Sequence, residues 1–113
     1  MARSPAISSG AVTVVVAPSG SHTHETVVAA PDGRFAVNTT GNSGLAKGGS
    51  GDVLAGMIVS LLGQGMEAFE ACCAAVYLHG RAGDLAAADQ GERGMTPGDL
   101  LEQIPYALKE TDR

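Results

Sequence analysis

Tryptophan is absent from this 113-residue chain, and only four aromatic side chains are present: Phe35, Phe69, Tyr77 and Tyr106. A core must therefore come mainly from Ala, Val and Leu, which let backbones approach closely but bury little area apiece. Basic residues are scarce. Seven Lys and Arg against twelve Asp and Glu leave a formal charge of −5, and a chain without a basic stripe is a poor candidate for nucleic-acid binding. No segment approaches the ~20 apolar residues that a bilayer span requires, so no membrane partner is expected. Met1-Ala2-Arg3-Ser4-Pro5 has one positive charge and no apolar stretch behind it. No secretory leader is read there, and a cytoplasmic location is expected. Cysteine occurs only as the adjacent pair Cys72 and Cys73, in a helical stretch. Neighbours on a helix diverge, which predicts two reduced, buried thiols and neither a disulfide nor a metal pair.

Glycine, by contrast, is abundant: sixteen residues, about twice the usual ~7%. A hydrophobic fraction of 44% with 17% charged residues is ordinary globular composition, and the length fits one domain.

Residues 1–10, rich in Ser, Pro and Gly, read as a flexible tail ahead of a domain over 11–113. Ala11–Val16 is a β-branched run typical of a buried strand, broken at Ala17-Pro18-Ser19-Gly20-Ser21. Thr26–Ala30 and Arg34–Asn38 flank Pro31-Asp32-Gly33, a hairpin signal. From Asp52 onward Val53, Leu54, Met57, Ile58, Leu61 and Leu62 recur at helical spacing. A second helix starts near Glu67 and ends at Gly91, with a kink expected at Gly80 and Gly83. Thr96-Pro97-Gly98-Asp99 opens a third helix, with Thr as cap, Pro at the first position and Asp99 three residues on; Pro105 should interrupt it. Strands first and three helices after make this one part of an α/β architecture.

Between Thr40 and Gly56 the glycines crowd, and Gly48-Gly49-Ser50-Gly51-Asp52 immediately precedes the first apolar helix. Residues without a Cβ let backbone N–H groups close around an anion, and a helix N-terminus adds about +0.5 of a charge. Such a turn can hold phosphate without a basic side chain. The pattern is not a Walker-type loop, because Lys47 precedes the glycines. Asp52 is the unusual member, since a carboxylate beside a bound phosphate is repelled unless it has chemical work. That work would be taking a proton from a hydroxyl that attacks phosphorus. Helix capping alone also accounts for an Asp at this position.

The string Asn42-Ser43-Gly44-Leu45-Ala46-Lys47-Gly48-Gly49-Ser50-Gly51-Asp52-Val53-Leu54-Ala55-Gly56-Met57-Ile58 resembles the signature of the ADP/ATP-dependent NAD(P)H-hydrate dehydratases, in the ribokinase-like superfamily. The likeness extends through Tyr77–Asp84, through Gly91–Leu101, and through Ala30–Arg34 with Asn38. It implies a partial ribokinase-like fold: short strands and a hairpin, a Gly-rich loop, and three helices. It also implies a lyase that repairs hydrated NADH and NADPH by phosphorylating the added hydroxyl and eliminating phosphate, with ADP or ATP as donor and Mg²⁺ as cofactor. Carried over by position, Asp52 is the catalytic base, in contact with substrate. Gly49, Ser50 and Gly51 form the anion hole. Gly20, Ser21, His22 and Thr23 belong to the nucleotide site, where the family's lysine is missing from Ala17–Thr23, and Asn42 approaches the phosphates and substrate. A homo-oligomer, a homotetramer by the same resemblance, is expected. The likeness takes in the C-terminal portion of such an enzyme, so the chain alone is expected to associate and to lack turnover.

A vitamin-precursor kinase of the same superfamily and a non-catalytic packing module are the alternatives. His79 reads as packed rather than catalytic. His22, His24 and Glu25 do not complete a metal set. Asp84 reads as a helix-surface or capping residue.

Overall fold

β-Branched residues build the sheet. The computed structural model describes residues 6–9, 12–19, 23–42, 45 and 50–111. Four strands, β1 (Ala6–Ser9), β2 (Val12–Ser19), β3 (Thr23–Ala29) and β4 (Phe35–Asn38), pair antiparallel in the order β1-β2-β3-β4. Three helices follow: α1 (Ser50–Gly63), α2 (Ala68–Gln90) and α3 (Pro97–Thr111). The expected order of strands, Gly-rich junction and three helices is what the structure has. No helix among the described residues is long and apolar enough to cross a membrane.

The register sorts the side chains by face. Val14 pairs with Val28 and Val28 with Ala36; Val16 pairs with Thr26 and Thr26 with Asn38. These rows share the face that packs on the helices, where Val12, Val14 and Val28 are almost fully buried. The alternate rows, Val15–Val27–Val37 and Thr13–Ala29–Phe35, share the opposite face. There Phe35 is 70% and Val37 49% exposed.

Where the sequence reads residues 1–10 as a tail, Ala6–Ser9 instead pair with Val12–Val15. β2 also continues through Pro18, where a break is expected. Among the described residues β1 pairs with β2 only as far as Val15, so at Pro18 no described strand lies on that side for a missing N–H to leave unpaired. The β3–β4 turn closes on Pro31–Gly33. Ala30 N–H donates to Arg34 O at 2.8 Å, Gly33 N–H to Ala30 O at 3.1 Å, and Gly33 takes φ 97°.

Small residues carry the helix packing. Leu54 and Ile58 of α1, Cys72, Ala75 and Val76 of α2, and Val12, Val14 and Val28 of the sheet form one buried cluster. Leu78 and Ala82 of α2 with Leu100 and Ala107 of α3 form a second. Cys72 is buried and Cys73 only partly so; both are free, and burial raises both thiols above their ordinary range. α1 ends in a Schellman motif: Met66 N–H donates to Leu61 O at 3.2 Å and Gly65 N–H to Leu62 O at 3.0 Å, with Gly65 at φ 90°.

Two expected interruptions are absent. α2 runs unbroken through Gly80 and Gly83, whose missing side chains make room for a neighbouring segment instead. α3 runs through Pro105. Pro105 and Leu101 both lie on the exposed side, where water can reach the carbonyl that the proline leaves unbonded. The third helix does open as its sequence predicts: Asp99 N–H donates to Thr96 Oγ1 at 3.2 Å, and Thr96 N–H to Asp99 Oδ2 at 2.8 Å.

Candidate functional site

The antiparallel register sends two glycine-containing segments out of the same end of the sheet. β4 leaves at Asn38, which pairs with Thr26, three residues from the start of β3 at Thr23. β3 therefore begins at the end of the sheet from which residues 39–42 leave β4. The Pro31–Gly33 turn and the α1–α2 connection lie at the other end, joined by Arg34 and Glu67. α1 thus starts at the site end and directs its N-terminal partial positive charge there.

Of the residues expected in the site, Ser50, Gly51 and Asp52 form the first turn of α1. Asp52 is exposed. Among the described residues, a Cβ built on Gly51 would meet nothing within 4 Å. Gly48 and Gly49 lie outside the described residues, as do Gly20, Ser21 and His22. Thr23 opens β3 and pairs with Ser19. The structure brings the Asp52 turn and the Thr23 hairpin to one end of the molecule. Among the described residues no three His, Cys, Asp or Glu side chains converge to hold a metal.

The segment between β4 and the Gly-rich turn is laid along α2. Asn38 Nδ2 donates to Val76 O at 3.5 Å and to Thr40 Oγ1 at 2.8 Å. Thr40 Oγ1 lies 3.3 Å from Tyr77 O. A Cβ on Gly80 would collide with Thr40, at 2.7 Å from its carbonyl oxygen; one on Gly83 would stand 2.8 Å from Leu45 Cδ2. Asn42 Nδ2 donates to Gly83 O at 2.9 Å and to Asp84 Oδ1 at 3.1 Å, while Gly41 N–H donates to Asp84 Oδ2 at 3.0 Å. The contacts advance together along the two segments. The four residue steps from Asn38 to Asn42 can span at most about 13 Å, and the eight helical steps from Val76 to Asp84 span about 12 Å. His79 of α2 is buried, in keeping with the packed reading.

Asp84 is therefore neither a surface residue nor a cap, as its sequence context suggested, but the anchor of this strap. The available signal was spacing: Gly80, Gly83 and Asp84 stand at i, i+3 and i+4, one helix face cleared for close approach and ending in an acceptor.

A family model described as NAD(P)H-hydrate dehydratase matches residues 6–106. A bifunctional NAD(P)H-hydrate repair enzyme from Moorella thermoacetica is 51% identical over 87 residues, covering 77% of this chain and 16% of that protein. An ADP-dependent (S)-NAD(P)H-hydrate dehydratase from Neisseria meningitidis is 50% identical over 86 residues, covering 76% of this chain and 28% of its own length. The solved structure of Bacillus subtilis YxkO, a member of the UPF0031 family, superposes with a TM-score of 0.76 at 35% identity, over 88% of this chain and 35% of YxkO. The chain thus spans less than a third of either relative's sequence. Because that family model matches residues 6–106, nearly the whole of this chain, the chain belongs to the NAD(P)H-hydrate dehydratase family.

Proposed function

We propose that this chain carries the phosphoryl-transfer end of an ADP-dependent dehydratase acting on hydrated NADH and NADPH, with ATP as the alternative donor. The observation that carries the reading is Asp52, exposed in the first turn of α1, directly behind Ser50 and the open flank of Gly51. A helix N-terminus favours an anion, and Gly51 leaves room for a phosphate to come close. Gly49, Ser50 and Gly51 supply backbone N–H groups to the transferring phosphoryl group. Gly20, Ser21, His22 and Thr23 flank the nucleotide, and Asn42 stands on the approach to it.

In this mechanism the Asp52 carboxylate accepts the proton of the hydroxyl that hydration added to the nicotinamide ring. The hydroxyl oxygen bonds to the terminal phosphorus as the bond to the bridging oxygen breaks, and AMP leaves when ADP is the donor. Phosphate then departs from that ring carbon with the bonding pair while the neighbouring carbon gives up a proton to water, and the C–H electrons form the double bond of the normal cofactor. Positioning and charge stabilisation do most of the work in such transfers. Mg²⁺ would neutralise the phosphate charge. It would be held chiefly through the substrate phosphates. A homotetramer in the cytoplasm completes the reading.

Asp52→Asn tests it, with this segment placed in a full-length family domain. Turnover should fall by ~10²–10⁴ with ADP affinity nearly unchanged, because the base acts on the proton and not on nucleotide binding. Retained turnover removes Asp52 from the mechanism.

A further inference from the structure

We infer that Asp84 is a positioning residue for the phosphate-binding turn, holding its entrance through Gly41 and Asn42. The inference rests on the reading of the Gly-rich turn as the nucleotide site.

The turn has two ends. One is fixed by α1, which begins at Ser50. The other is Leu45, five residues upstream, and its place depends on the strap. Both carboxylate oxygens of Asp84 are engaged there, Oδ2 by the Gly41 N–H at 3.0 Å and Oδ1 by Asn42 Nδ2 at 3.1 Å. Bonds to a charged acceptor are among the stronger ones a loop can make. Gly41 takes φ 108°, a left-handed conformation that side chains resist, and a Cβ there would stand 2.9 Å from Leu45 Cδ1. Gly41 N–H therefore reaches Asp84 only from a backbone shape that glycine permits. Leu45 then drops against Gly83 and joins the cluster of Leu78 and Leu100. The chain is pinned on both sides of Asn42 before it enters the turn.

This arrangement also gives Asn42 a different part. Its side-chain nitrogen donates to Gly83 O at 2.9 Å as well as to Asp84, so both of its N–H bonds are directed at α2. Asn42 acts as a tether that shapes the approach to the phosphates, and its donors are not offered to a ligand. The carboxylate of Asp84 likewise faces donors of the strap, which offsets its charge near an anion site.

The test compares Asp84→Ala, Asp84→Asn and Asn42→Ala in the full chain by two readouts: amide hydrogen exchange at Gly41, and ADP affinity by calorimetry. Exchange at Gly41 should quicken at least about tenfold in Asp84→Ala, as a charge-assisted bond is lost. ADP affinity should fall by about tenfold in both alanine variants. Asp84→Asn keeps one acceptor for Gly41 and should recover part of both effects, which simple loss of packing would not predict. Should Asp84→Ala fail to fold, Asp84→Asn carries the exchange readout and Asn42→Ala the affinity readout, because Asn42→Ala breaks only the Asn42 contact with Asp84 from the loop side and leaves the Gly41 bond in place. Unchanged exchange at Gly41 overturns the tether. Quickened exchange with unchanged ADP affinity overturns the positioning role. If the unaltered chain binds no ADP, the nucleotide reading falls and with it the positioning role, while the exchange data still decide whether Asp84 holds the strap.

Discussion

Arg34 and Glu67 join the two turns at the end of the molecule opposite the site: Nη1 lies 2.8 Å from Oε1 and Nη2 3.4 Å from Oε2. Arg34 also bonds Asp32 through Nε at 2.8 Å, and its guanidinium carbon stands 4.7 Å from the centre of the Phe69 ring. Glu67 in turn accepts the Phe69 N–H at 2.9 Å, capping α2. One guanidinium thus ties the β3–β4 hairpin to the start of the long helix.

That pairing sets an acid dependence. The Arg34 hydrogen bond holds Glu67 below the ordinary carboxylate range, and the backbone N–H of Arg34 does the same for Asp32. Carboxyl groups lowered in the folded state bind fewer protons than in the unfolded state. Their contribution is present above the unfolded values and is lost as pH falls through the folded ones. Arg34→Ala should therefore lower stability modestly at neutral pH, with the difference from the unaltered chain fading below about pH 5, so that the acid limb flattens. Urea midpoints at several pH values check this; an unchanged acid limb contradicts it.

Alanine at two glycines should act in opposite directions. At Gly80 a methyl would press on the Thr40 backbone, 2.7 Å from its oxygen, and overpacking of this kind costs about 1–3 kcal/mol. At Gly51 nothing among the described residues lies within 4 Å of a Cβ, and replacing a helical glycine gains up to about 1 kcal/mol. Gly51→Ala should therefore raise or keep the Tm while weakening ADP binding, whereas Gly80→Ala lowers the Tm. Calorimetry of both variants, with and without ADP, reads the difference.

Thr96→Ala removes one half of the reciprocal cap at the start of α3. The loss should be about 1 kcal/mol, the usual range for such caps, measured as a lowered urea midpoint.

The outer sheet face should promote association of the isolated chain. Phe35 and Val37 are exposed there beside Val27 and Ala29, and contiguous apolar surface favours self-association. Phe35→Thr with Val37→Thr should reduce light scattering and binding of a hydrophobic dye. Threonine suits a strand, so stability should move by no more than about 0.5 kcal/mol.

Local chemistry was legible in the sequence where a few adjacent residues decide it. Pro31-Asp32-Gly33 announces its turn, Thr96 and Asp99 announce their cap, and the valines of β2 announce a buried strand. β1 was not legible, because Ala6-Ile7-Ser8-Ser9 has weak strand preference and becomes a strand only by pairing with β2. Pro18 masked the continuation of β2, since whether a proline breaks a strand depends on which side has a neighbour. At the site, the position of Asp52 at the head of α1 followed from the glycines. The part taken by Asp84 did not, because it depends on a loop 42 residues earlier in the chain.

The strap on α2 has only one place to sit. Extended chain advances about 3.3 Å per residue, whereas a helix advances 1.5 Å and turns by 100°. A slip of one residue would carry Thr40 off Gly80 and Asn42 off Gly83 together, onto positions that bear side chains. The strap is therefore keyed rather than sliding: seated along its whole length or released along it. Adding or deleting one residue between Asn38 and Asn42 would leave no position that satisfies both ends, and the entrance to the Gly-rich turn would open as a unit.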